Sequence, residues 1–356
     1  MITAIALSPY RLPLRRPWCS ARGAVGERLG WLVGCEADGL VGYGDCAPLP
    51  AAGTEDRAAA WGWLSAWRET ALGRTPCAAL MELEGTDGDG KGGAAPAARY
   101  AAECALADLA AQAAGVPLAR WLAPGTELDA QPSVPVNAAL GPLAEVTGAG
   151  LADCATEGYL VFKVKVGLAG LRSELRQIED LASSLPPGGR LRLDANGAWT
   201  LAEAQRAVAA LNALPIEALE EPLGDPAPAN LGALQGLAGF PLALDESLTR
   251  PGTVWDLHDL PVRRLVLKPA ALGGLRRTLA LAGTAARAGI EVVVTSLIES
   301  AAGLWPTVQL AAAIGSPIPQ GLATAAWLAR DLGGPPRPRA GRLEIPRVPG
   351  GGFRPY

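Results

Sequence analysis

Histidine and lysine are scarce in this chain of 356 residues, which carries one histidine and four lysines against 27 arginines. The lone histidine, His258, excludes any multi-histidine metal site. Its setting, WDLHDL, has no strand end beside it and is that of an ordinary surface residue. The six cysteines (Cys19, Cys35, Cys46, Cys77, Cys104 and Cys154) include no C-x-x-C pair and read as reduced thiols of a cytoplasmic protein. No run of about 18 uncharged apolar residues occurs, so no bilayer-spanning helix is expected. The N-terminus lacks a charged leader followed by an apolar core and cleavage site. A net charge of −4 and a pI near 5.3 offer no general attraction to phosphate backbones or anionic lipid. These absences leave a cytoplasmic globular protein that takes a small-molecule substrate, with no nucleic acid or membrane as partner. No feature sets an oligomeric state.

What is present is a regular alternation. At 49% hydrophobic residues the chain can bury a sizeable core. From about residue 132, apolar runs of five to eight residues alternate with alanine- and leucine-rich helical stretches. The strand candidates are SVPVNAAL, YLVFKVKVG, RLRLDANG, ALEEP, PLALDES, RLVLKP, EVVVTS and IPQGLA. Marked at Asn137, Lys165, Asp194, Glu220, Asp245, Lys268, Ser296 and Gly321, they recur at steps of 28, 29, 26, 25, 23, 28 and 25 residues. Eight strands at that interval predict a (β/α)8-type barrel with its active site at the C-terminal strand ends. Residues 1–130 differ. LGWLVGCEADGLVGYGDCAPLP predicts a small antiparallel sheet with an Asp-Gly turn, and ARYAAECALADLAAQAAG an amphipathic helix. The barrel then spans 131–324, and 325–356, rich in Pro, Gly and Arg, is expected to pack back on the first part.

Lys91 sits in EGTDGDGKGG, which satisfies G-x-x-x-x-G-K. No Ser or Thr follows the lysine and no strand precedes it, so a flexible surface loop is expected rather than a phosphate cradle. The other three lysines close strand-like runs. Arginine stays charged, whereas a desolvated lysine can exchange protons near neutral pH.

Strand alternation selects the inward side chains. With Phe162, Val164 and Val166 outward, Lys163 and Lys165 point in. With Leu191 and Leu193 outward, Asp194 points in, along with Arg190 and Arg192. The same parity selects Glu220 over Glu221, Asp245 over Glu246, and Lys268. Asp194, Glu220 and Asp245 on adjacent strands make an all-oxygen set suited to a hard cation, Mg²⁺ or Mn²⁺, with Lys163 and Lys165 on one side and Lys268 on the other. Interior salt bridges alone would be a poor route to stability, since each ion costs several kcal/mol to desolvate. Such a set suits abstraction of a proton α to a carboxylate: the cation stabilises the enediolate, and Lys165, its pKa lowered by Lys163 and the metal, takes the proton. Thr295 and Ser296, at a strand end, are further candidates for substrate contact.

The motifs K-x-K (Lys163 to Lys165), L-D-A-N (193–196), E-E-P (220–222), D-E-S (245–247) and L-K-P (267–269) resemble, in order and spacing, the muconate-lactonising subgroup of the enolase superfamily. GYGDCAPLP, TSLIESAAGL and QGLAT are most similar to its o-succinylbenzoate synthase family, with Asp45 where that capping motif carries glutamate. The resemblance implies a modified TIM barrel, of (β/α)7β type, with an α+β capping domain built from the N-terminal part and the C-terminal tail. It also implies a hydro-lyase of menaquinone biosynthesis. Lys165 would then take the α-proton and protonate the departing hydroxyl, Lys268 would place a cation against the opposite ring face, and Lys163 would position the carboxylate. An N-acylamino acid racemase or dipeptide epimerase would use the same two lysines. The D-x-D of dipeptide epimerases is missing from IPQGLATAAW. A non-catalytic metal-binding protein would need no paired lysines.

Overall fold

Asp38 and Gly39 both take positive φ, 51° and 75°, the left-handed pair that closes a two-residue hairpin with the twist of its strands. That turn joins β2 (Gly23–Ala37) to β3 (Leu40–Cys46), and β1 (Ile2–Ser20) pairs with the other edge of β2. The computed structural model describes residues 1–20, 23–85, 95–125, 133–250 and 255–356. Lys91 and the expected boundary near residue 130 lie outside the described residues.

Helices α1 (Arg57–Ala71), α2 (Pro76–Gly85), α3 (Pro96–Ala113) and α4 (Leu118–Leu122) follow the sheet. The amphipathic reading of α3 is corrected: every residue from Ala97 to Ala111 is buried. On one side α3 lies so close to β3 that a Cβ on Gly42 or Gly44 would run into the carbonyl of Ala105 or Ala101. On another, Tyr100, Cys104 and Ala107 pack with Leu275, Leu297 and Leu310 of the barrel half. Its interior charges are tolerated because each reaches a backbone partner. Arg99 donates to the Leu83 carbonyl at 2.9 Å, Glu103 accepts from the Arg276 amide at 2.8 Å, and Asp108 accepts from the Gly351 amide at 2.8 Å.

The candidate strand SVPVNAAL divides in two. β4 (Ser133–Pro135) pairs antiparallel with the tail, and β5 (Ala138–Pro142) enters the main sheet. The chain continues through α5 (Gly148–Thr156), β6 (Val161–Lys165), α6 (Leu171–Ser183), β7 (Arg190–Asp194), α7 (Leu201–Leu211), β8 (Ile216–Glu220), α8 (Pro228–Leu237) and β9 (Leu242–Leu244). β10 (Arg264–Leu267), α9 (Pro269–Leu272), α10 (Leu275–Arg287), β11 (Glu291–Val294) and α11 (Ala301–Ile314) complete the series. Seven parallel strands run in sequential order from β5 to β11. IPQGLA, expected as the eighth, forms no extended strand, because Pro317 and Pro319 bring no N–H to a ladder. Single parallel bridges from Gln320 to Val136 and from Gly321 to Thr295 join its two neighbours. The fold is thus a (β/α)7β-type modified TIM barrel with an antiparallel α+β cap.

Between strands and helices, Phe162, Val164, Leu191, Leu193, Leu219 and Leu265 pack with Ile178, Val208, Leu231 and Leu234, each contributing about 1.5–3 kcal/mol on burial. A reciprocal capping box between Thr200 and Glu203 starts α7. The barrel interior is charged instead. Arg192 Nε donates to Glu217 Oε2 at 2.7 Å, and Arg264 pairs with Glu217 at 2.6 Å and with Glu291 at 2.7 Å. Arg190, read as inward-facing, is exposed at the rim, where it donates to the Ile216 carbonyl at 2.6 Å. In the tail, β12 (Arg342–Glu344) pairs with β4 and sets Leu343 in the barrel core. Farther on, Phe353 stands edge-on to Tyr43 of the sheet at 5.3 Å. The tail therefore packs on barrel and cap alike.

Candidate active site

Parallel register places the site. Lys165 pairs with Asp194 and Asp194 with Glu220, so these three end their strands at one level, with Lys163 one pleat below. The chain leaves β9 at Asp245 (φ −123°, ψ −94°) into a short 3-10 turn, Glu246–Leu248, and Lys268 follows β10. A cavity of about 200 Å³ at these ends is lined by Lys163, Lys165, Lys268, Asp194 and Asp245, with Thr295 and Ser296 on the far wall. Glu220, 1% exposed, stands behind that surface.

The lysines have different partners. Lys163 Nζ lies 3.0 Å from Asp194 Oδ2 and donates to Glu220 Oε2, bridging the two carboxylates. Lys268 Nζ lies 2.7 Å from Asp245 Oδ2 and 3.1 Å from Glu246 Oε1. Lys165 Nζ donates to the neutral amide Oδ1 of Asn196 at 2.7 Å, with Asp194 Oδ2 at 3.9 Å. Burial pulls the Lys165 pKa below its ordinary value, and the charges of Lys163 and Lys268 add to that against the pull of Asp194. For Lys163, burial is outweighed by Asp194 and Glu220; for Lys268, by Asp245 and Glu246. Both are raised. Asp194 is buried, yet Lys163 and Lys165 hold its carboxyl below the usual range.

One expectation changes here. Glu246, set aside by strand parity in favour of Asp245, also reaches Lys268, because alternation ends where the 3-10 turn begins. Lys163 borders the cavity while its ammonium meets Asp194 and Glu220. Among the described residues no three His, Cys, Asp or Glu side chains form a ready metal-holding group. The donor chemistry nevertheless fits a hard cation. Asp194, Glu220 and Asp245 offer oxygen alone, and the buried Asp245 Oδ1 has no hydrogen-bond partner.

Three non-glycine residues with positive φ stand just past the strand ends: Asn196 at 46°, Glu221 at 42° and Ile298 at 60°. A β-branched residue there stores strain of order 1–3 kcal/mol, the kind that functional sites hold. Glu221 is tied down by accepting from the Asp245 and Ser247 amides at 2.6 and 2.9 Å, which sets the turn carrying Asp245 and Glu246. On the far wall, Thr295 Oγ1 donates to the Gly321 carbonyl at 2.9 Å and Ser296 Oγ shares a 2.6 Å bond with Thr324. His258 is exposed and is not among the residues that line the cavity.

Residues 148–356 match the family described as Enolase C-terminal domain-like. The chain belongs to that family. Among curated relatives, this enolase-superfamily chain is 34% identical over 223 residues to an o-succinylbenzoate synthase of Thermobifida fusca, a match covering 61% of this chain and 68% of that one. The chain spans about two thirds of the length of such relatives, 65% to 68%. Among solved structures, the L-Ala-D/L-Glu epimerase of Bacillus subtilis superposes with a TM-score of 0.87 at 23% identity, over 99% of this chain and 98% of that one. An N-succinyl Arg/Lys racemase of Bacillus cereus gives 0.86 at 23%, over 100% and 95%. Membership in the enolase superfamily marks an enzyme.

Residues the sequence reading passed over surround the enolase-superfamily site. Asn196, Glu221 and Glu246 lie inside the motifs quoted above, so their neighbours were the signal. Trp18 had none. The β1–β2 hairpin brings its ring to 5.2 Å from Lys165 Nζ, and it meets Trp327 edge-on at 4.5 Å. Asp45, buried on β3, accepts from the Ser300 amide at 2.7 Å and joins the cap to the start of α11. Among the described residues no helix is long and apolar enough to cross a membrane.

Proposed function

We propose that this chain is an o-succinylbenzoate synthase, a hydro-lyase that removes water from 2-succinyl-6-hydroxy-2,4-cyclohexadiene-1-carboxylate to give 2-succinylbenzoate in menaquinone biosynthesis. Asp194, Glu220 and Asp245 would hold Mg²⁺, with Mn²⁺ as a substitute. Once bound, the cation supplies a positive charge against the substrate carboxylate, stabilising the enediolate. Lys165 removes the α-proton. The ring C–O bond then breaks, Lys165 returns the proton to the departing hydroxyl on the same face, water leaves, and the ring becomes aromatic. Lys268 remains an ammonium against the opposite face, and Lys163 keeps the acidic set together beneath the substrate. Residues 1–130 and 325–356 would close over a barrel of 131–324, in a cytoplasmic enzyme.

The observation carrying this reading is the asymmetry of the lysines. Lys165 bonds a neutral amide, whereas Lys268 is held between two carboxylates. Dehydration needs one base and one fixed cation, and racemisation needs both lysines to exchange protons. The names of the curated relatives support the same choice. N-acylamino acid racemisation is the second reading, because both lysines border one cavity, and dipeptide epimerisation stands behind it. The deciding experiment runs an absorbance assay on the cyclohexadiene beside a racemisation assay on N-succinyl amino acids. Dehydration several orders of magnitude above background is expected; racemisation alone would replace the proposal with its rival.

A further inference from the structure

The cavity has two chemically distinct arcs. The ends of β7 and β9 bring the acidic side chains, Asp194, Asp245 and Glu246, while β11, the Gln320–Gly321 segment and the entry to β5 bring neutral ones, Thr295, Ser296 and Asn137. Thr295 has committed its hydroxyl proton to the Gly321 carbonyl, and Ser296 is engaged with Thr324. Asn137 differs. It is 1% exposed, yet lines the cavity. Its Oδ1 accepts from Arg192 Nη1 at 3.1 Å, and Arg192 is itself fixed by Glu217 at 2.7 Å and by the Pro319 carbonyl at 3.0 Å. A guanidinium has donors only, so the Asn137 amide must turn its oxygen to Arg192 and its NH₂ the other way. One of those N–H groups reaches the Ala138 carbonyl at 3.2 Å. The other makes no hydrogen bond among the described residues, and Asn137 borders the cavity.

We propose that Asn137 is a ligand-binding residue, with Arg192 as its positioning residue, and that Nδ2 donates to an acceptor oxygen at the end of the ligand away from the acidic arc. Resting on the functional reading above, that oxygen belongs to the succinyl tail rather than to the ring carboxylate. The pair gives the buried Arg192 a role inside the barrel: it fixes which way an otherwise reversible amide faces.

The test measures binding of 2-succinylbenzoate and of plain benzoate, each with Mg²⁺, to wild type, Asn137→Asp and Asn137→Ala. Asp keeps a partner for Arg192 but has no N–H, so a loss shared by both variants cannot come from a broken Arg192 contact. Both are expected to bind 2-succinylbenzoate at least tenfold more weakly, and Asn137→Ala to bind benzoate within twofold of wild type. In turnover the loss should fall on KM, with kcat within about threefold. Wild-type affinity for 2-succinylbenzoate in either variant, an equal loss for both ligands in Asn137→Ala, or a wild type that binds neither ligand overturns the proposal. A wild type that binds 2-succinylbenzoate but catalyses neither reaction refutes the proposed function while leaving the Asn137 comparison decisive.

Discussion

Lys165 and Asn196 face each other at 2.7 Å between Nζ and Oδ1, a lysine on a strand end held by a neutral amide whose backbone sits in the left-handed region. The amide can accept from the ammonium but lends it no charge, and burial keeps the Lys165 pKa below its ordinary value. A base placed this way can give up its proton more readily than Lys268, clasped by two carboxylates.

Replacement of Lys165 by Ala is expected to lower kcat by about 10³-fold, the usual scale for losing a positioned base. Lys165→Arg should be equally inactive, since guanidinium does not release its proton. Lys268→Ala should also abolish dehydration. Melting temperatures within a few degrees of wild type would assign the losses to chemistry; substantial turnover in Lys165→Arg would refute the base role.

Chelation should abolish turnover and Mg²⁺ should restore it. Asp194→Asn should raise the Mg²⁺ concentration for half-maximal activity at least about tenfold, because one anionic oxygen ligand is lost. Activity that survives exhaustive EDTA treatment would contradict the metal assignment.

Glu299, 2% exposed, has its pKa raised from 4.5 to about 7, first by burial and then by the charge of Asp45. An acid whose folded pKa is raised favours the fold while protonated. Its contribution is complete below the unfolded value of 4.5 and is lost as pH climbs through about 7. The loss amounts to about 3 kcal/mol at 1.36 kcal/mol per pH unit. Denaturant titrations from pH 4.5 to 8 should show this decline, and Glu299→Gln should flatten it; parallel curves for the two proteins would count against it.

Gly44→Ala would drive a Cβ into the Ala101 carbonyl of α3. Backbone cannot swing aside as a side chain can, so a loss of about 1–3 kcal/mol is expected, read as a lower denaturant midpoint. Gly39→Ala should also destabilise, through its positive φ of 75°.

The lysines, the three carboxylates and the barrel class were legible because a strand's side-chain period is two and polar residues at the ends of apolar runs have few reasons to be there. Glu246 escaped, since parity says nothing once a strand turns into a 3-10 segment. The α3 helix was misread because its charges suggested a solvent face, and only the packed neighbours show that Arg99, Glu103 and Asp108 find backbone partners inside. IPQGLA looked like a strand by composition, yet Pro319 within it and Pro317 just before it left it with single bridges.

The amino-acid sequence by itself determined the order of strands and helices, the hairpin at Asp38–Gly39 and the inward set of Lys163, Lys165, Asp194, Glu220, Asp245 and Lys268. These follow from local periodicity and turn chemistry, which act between near neighbours. Which lysine meets which acid, the arrival of Trp18 over Lys165, the Asp45 bond to Ser300 and the orientation of Asn137 by Arg192 were decided only by tertiary structure. Each joins residues far apart in the chain, and hydrogen-bond geometry and burial exist only after the elements have docked.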